Sequence, residues 1–98
     1  MSKIFVDQTS LRIILTTNVV VAGALVTEIH YRKPGGDTGA LTAYVQDPVT
    51  GIIYHDLDSD DTLLDERGAW KFWSYVVFGD GRKARGETVG VTIWSEDE

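Results

Sequence analysis

From Asp65 to Ile93 apolar and polar positions alternate with a period of two, and the alternation is interrupted once by a glycine-rich turn. Trp70, Phe72, Ser74 and Val76 fall on one side of the first arm, and Lys71, Trp73, Tyr75 and Val77 on the other. Aromatic and β-branched residues suit a pleated surface, so the pattern predicts a strand largely covered on both sides. Gly79-Asp80-Gly81 supplies residues that tolerate positive φ, as a tight turn requires. The chain then returns through Thr88 to Trp94, with Val89, Val91 and Ile93 on one face and Thr88, Gly90, Thr92 and Trp94 on the other. The whole stretch predicts one β-hairpin.

The same alternation recurs earlier. Leu11, Ile13 and Leu15 alternate with Arg12, Ile14 and Thr16, and Leu25, Thr27, Ile29 and Tyr31 alternate with Val26, Glu28, His30 and Arg32. The run from Lys33 to Gly39 (KPGGDTG) is dense in turn formers, because proline presets φ and glycine accepts positive φ. It leads to a strand over Leu41 to Gln46; a second turn at Asp47-Pro48-Val49-Thr50-Gly51 leads to another over Ile52 to His55. With Ile4 to Val6 this makes about seven short strands, the number expected of an immunoglobulin-like antiparallel β-sandwich. Trp70, Phe72, Ile13, Leu15, Ile29, Val89, Val91 and Ile93 are expected to share its core. No helix-period segment, internal repeat or low-complexity tract competes.

Composition narrows the class without changing it. Ninety-eight residues make one domain, 1–98, with 43% hydrophobic and 24% charged residues, as in ordinary folded proteins. There are no cysteines, so neither disulfides nor thiolate metal sites contribute. The start lacks the long apolar segment of a secretory signal, and the longest apolar stretch, Val19 to Val26, is broken by Gly23 and too short to span a bilayer. The expectation is a soluble product made in the cytoplasm, with no membrane partner. A net charge of −6 repels a phosphate backbone and argues against nucleic acid. Arg82, Lys83 and Arg85 form a basic cluster, but Asp80 and Glu87 flank it, as at a solvated edge.

Asp65-x-x-Gly68-x-Trp70-x-Phe72 is similar to the Asp-x-x-Gly-x-Tyr-x-Cys pattern that opens strand F of immunoglobulin domains. Phe72 stands where that pattern has cysteine, and Trp70 becomes the core aromatic under the corner loop. The succession YRKPGGDTG (Tyr31 to Gly39), a short acidic segment, and DERGAWKFWSYVVFGDGRKARGETVGVTI resembles small proteins encoded among the structural genes of tailed phages and prophages. The resemblance covers most of the chain after Val26 and rests on turn and core residues. It implies an immunoglobulin-like, virion-associated module, in tail, baseplate or head, whose partners are other virion structural proteins or further copies of itself. It brings no catalytic residues.

Candidate chemistry is sparse. Asp56, Asp58 and Asp60 have the alternate spacing of calcium loops, but Asp61 stands where the sharp-turn glycine belongs, and Arg67 where the bidentate glutamate belongs. The segment from Asp56 to Glu66 is therefore read as a solvated loop, with no metal and no cofactor. His30 and His55 sit in predicted strands with no nucleophile or metal motif to partner them, and Gly79-Asp80-Gly81 joins two strands without the helix that would hold a phosphate. The expected protein is not an enzyme.

Binding is the remaining chemistry. Trp73, Tyr75 and Trp94 lie on the face opposite Trp70 and Phe72, and with the basic edge at Arg82, Lys83 and Arg85 they form the candidate contact surface. The preferred expectation is a non-enzymatic structural or interaction module of a phage particle. The alternative is a carbohydrate- or receptor-binding module using the same aromatic face.

Overall fold

In the computed structural model, which describes residues 4–9, 11–57, 63–95 and 97, the chain is all-β and forms two sheets around one core. Nine strands and no helix occur among the described residues: β1 (Ile4–Phe5), β2 (Leu11–Thr16), β3 (Ala24–Arg32), β4 (Thr38–Thr42), β5 (Tyr44–Asp47), β6 (Ile52–Leu57), β7 (Gly68–Phe78), β8 (Lys83–Arg85) and β9 (Val89–Trp94). The large sheet runs β1-β9-β7-β3-β4, with β8 also on β7; the small one runs β2-β6-β5. Neighbours are antiparallel except β1, which lies parallel to β9 with Ile4 opposite Ile93.

Alternation explains the core. Ile29, Trp70, Phe72 and Ile93 point inward from the large sheet, and Leu15, Ile53 and Leu57 answer from the small one. Trp70 is wholly buried and stacks on Phe72 with ring centroids 6.0 Å apart. Each such side chain contributes about 1.5–3 kcal/mol by leaving water.

Nine strands replace the expected seven for two local reasons. The strand expected over Leu41 to Gln46 splits at Ala43, where the chain passes from one sheet to the other. Thr27 fixes that switch by holding both backbone groups of Ala43: its carbonyl accepts from the Ala43 N–H (3.0 Å), and its hydroxyl donates to the Ala43 carbonyl (2.7 Å). The return arm of the hairpin also splits. Gly86 N–H donates to Ser74 O while Val89 lies opposite Phe72, so Glu87 and Thr88 together face Trp73. That is a β-bulge, and the extra residue changes which parity points inward: Ala84 and Gly86 before it, Val89, Val91 and Ile93 after it. Gly86 suits that position, because a Cβ there would meet the Ser74 hydroxyl and displace it.

Two apolar residues depart from their expected places. A register irregularity between Ala24 and Val26 leaves Leu25 exposed instead of in line with Ile29. Val89, expected in the core, is 44% exposed. The sheets differ in width: β2 packs over β7 and β6 over β3, and Val89 lies at the margin of the wider one. Ile13 and Val91 are half-buried along the same margin.

The corner before β7 is tied down from both sides. Gly68 has φ +124°, and a side chain there would lie 2.9 Å from Pro34 as well as straining the backbone. Lys33 Nζ donates to Asp65 Oδ1 (2.8 Å), Gly35 N–H to Glu66 Oε2 (3.1 Å), and Trp70 Nε1–H to Glu66 O (2.8 Å). The described end of the acidic segment thus clamps the lysine-proline turn.

Candidate binding face on the large sheet

Odd-numbered residues of β7 point away from the core, and register decides their company. His30 of β3 lies opposite Trp73, and Glu28 opposite Tyr75. The imidazole stacks on Tyr75 (centroids 4.7 Å, interplanar angle 27°) and meets Trp73 edge-on at 6.0 Å. Its Nε2–H donates to Glu28 Oε1 at 3.1 Å, which leaves the side chains 26% and 34% exposed. On the other flank the Arg85 guanidinium sits 4.9 Å from the centre of the Trp73 ring. Arg85 is held in place by donating to Gly86 O and Thr88 Oγ1, both at 3.0 Å and both beside the bulge. Arginine has five N–H donors, and these bonds use two of them.

Trp73, Tyr75 and Arg85 therefore lie together on this face, with Lys83 next along β8 opposite Val77. Two expected members are elsewhere. Arg82 turns to Asp80 (2.6 Å) and to the Phe78 ring, 5.1 Å from its centre, at the hairpin tip. Trp94 is level with position 67 by the β7–β9 register, about 20 Å from Trp73 along the strand. His30 and Glu28 complete the patch and were missed. Their alternation in β3 was legible, but which β7 residues they would face depends on strand pairing.

The small sheet carries a second exposed row. Ile14 lies opposite Tyr54, and Tyr54 opposite Tyr44, with the tyrosine centroids 5.8 Å apart. Arg12 covers Tyr54 at 4.0 Å and makes a two-pronged pair with Asp56 at 2.7 and 3.1 Å. That pairing holds the Asp56 carboxyl below the usual carboxylate range. Asp47 is likewise held low by the Thr50 and Val49 N–H groups, and Asp80 by bonds from Arg82.

Of the calcium-spaced carboxylates, Asp56 is thus engaged by Arg12, while Asp58 and Asp60 lie outside the described residues. No three His, Asp or Glu side chains converge among the described residues. His55 donates from Nδ1 to the Thr42 carbonyl (2.7 Å), which ties β6 to the β4–β5 switch. What the outer face of the large sheet offers is rigid aromatic area with a fixed cation and a fixed carboxylate, suited to recognition.

No protein family, curated protein or solved structure matches the chain.

Proposed function

We infer that this chain is a non-enzymatic interaction module with an immunoglobulin-like sandwich, serving as a structural or accessory component of a phage or prophage particle. The sandwich reading is supported by strand order. In the small sheet β2, β6 and β5 correspond to strands B, E and D; in the large sheet β9, β7, β3 and β4 correspond to G, F, C and C′. A second support is the corner, where Trp70 Nε1–H bonds back to Glu66 O as a corner tyrosine hydroxyl bonds to upstream backbone. The particle reading rests on the sequence resemblance, and its partners would be other virion structural proteins.

The observation that carries the interaction reading is the Trp73–His30–Tyr75–Arg85 cluster, in which large aromatic surface and charge are held on four rigid strand positions. Weak contacts of that size add through effective concentration in a repeated lattice. The test is the double variant Trp73→Ser with Tyr75→Ser, scored for copy number in purified particles and for folding of the isolated domain. The expected result is a folded domain that no longer incorporates. Wild-type copy number would remove this face from consideration.

A carbohydrate-binding reading is favoured by a different observation, the Ile14–Tyr54–Tyr44 row on the small sheet, where Ile14 and Tyr44 are exposed and the tyrosine rings adjoin. Saturable hits on a glycan array that vanish in Tyr44→Ala, and persist in the Trp73/Tyr75 double variant, would establish it in place of the particle reading.

A further inference from the structure

One side of the small sheet ends in an open edge. Among the described residues β2 pairs only with β6, so its other edge has no neighbour there. Thr17 N–H donates to Gly51 O across the β2–β6 ladder, and the alternation of an antiparallel pair then directs the backbone groups of Leu11, Ile13 and Leu15 toward β6. Those of Arg12, Ile14 and Thr16 point the opposite way, out of the sheet. Beside this open edge lies a cleft of about 190 Å³. Ile13 and Leu15 form one wall; Phe72, Val89, Val91 and Ile93 form the floor, with Val89 exposed at its mouth.

The two features together specify an occupant. An apolar cleft alone accepts many shapes, but a row of outward N–H and C=O groups beside it is satisfied by another extended backbone, whose alternate side chains enter the cleft. Charge fits the same occupant. Among the described residues Arg12 is the one charged side chain lining the cleft, and it is paired with Asp56, so this lining matches uncharged inward side chains. Length fits as well, since six residues of β2 make an edge about 20 Å long.

The geometry points to strand addition: β2 and the cleft receive an extended segment of a partner protein, apolar and uncharged at alternate positions, as a fourth strand of the small sheet. This surface is separate from the Trp73 face, so the inference goes beyond the proposed function and does not depend on it.

The probe is a blocked seven-residue peptide alternating threonine and valine; its control is an isomer with the valines consecutive. Binding is followed on the full chain by amide hydrogen exchange and titration. Saturable binding below about 1 mM is expected, with exchange slowed at the Arg12, Ile14 and Thr16 amides and little binding of the isomer. Ile14→Pro removes an outward N–H, a change that edge strands tolerate, and should weaken binding at least tenfold while the melting temperature stays close to wild type. Val89→Lys places a charge at the exposed mouth of the cleft and should do the same, which covers the case that the proline variant fails to fold. The Trp73/Tyr75 double variant should bind the peptide as wild type does. Absence of saturable binding, equal binding of the isomer, protection elsewhere, or unchanged binding in Val89→Lys would overturn the inference. So would concentration-dependent self-association through β2, because a second copy would then be the occupant.

Discussion

The two faces of β7 are made of similar residues and do different work. Inward, Trp70, Phe72, Ser74 and Val76 are 0–3% exposed, and the tryptophan is fixed by stacking and by its bond to Glu66. Outward, Trp73 and Tyr75 are half-buried, and their neighbours are a histidine, a glutamate and an arginine. An aromatic that faces the opposite sheet gains its stability from leaving water. One that faces outward keeps part of its surface accessible, and polar neighbours hold it in a defined orientation.

The largest effect that would test this contrast is Trp70→Ala, which should cost about 3–5 kcal/mol against a total of about 5–15 kcal/mol. Chemical denaturation measures it, and a loss below about 1 kcal/mol would mean that the inner face is not the structural one. Gly68→Ala comes next. The substitution forces a side chain into φ +124° against Pro34 and should cost about 1–3 kcal/mol, read from the same denaturation curves. A near-neutral result would show that the corner adjusts freely and does not set the entry of β7.

On the outer face the stability effect should be smaller and the binding effect larger. Trp73→Ser is expected to cost about 1 kcal/mol, the middle of the range for point substitutions, while removing the particle association proposed above. His30→Ala should lower stability less, yet weaken the same association, because Tyr75 loses its stacking partner. A stability loss at Trp73 as large as at Trp70 would erase the distinction between the faces.

The smallest effect concerns acid. Asp47, Asp56 and Asp80 have folded-state pKa values below the ordinary carboxylate value near 3.8, lowered by backbone N–H groups and arginine partners. Their contribution is present above the unfolded-state pKa and is lost as pH falls through the lower folded-state values. The melting temperature should therefore be flat from pH 6 to about pH 4 with respect to these groups and decline below it. Asp47→Asn and Asp56→Asn should each reduce the slope of that decline, measured by thermal unfolding at pH 2–4. Unchanged slopes would mean that these exposed pairs are fully screened.

Sequence alone settled the class of structure, because alternation with a period of two and the turn chemistry of Lys33 to Gly39 and Gly79 to Gly81 are local properties of the chain. It also settled which side of β7 is core, since Trp70, Phe72 and Val76 share one parity and the Gly68 pattern fixes where the strand starts. Tertiary structure alone decided what each strand lies beside. The switch at Ala43, the bulge opposite Trp73 and the pairing of His30 with Trp73 depend on register, and register is a relation between segments distant in the chain. The same holds for Val89: its alternation marks it as apolar and inward, but whether anything lies over it depends on the width of the opposite sheet. A strand encodes its own faces in its side chains, whereas its neighbours are chosen by backbone hydrogen bonds that every residue type can make.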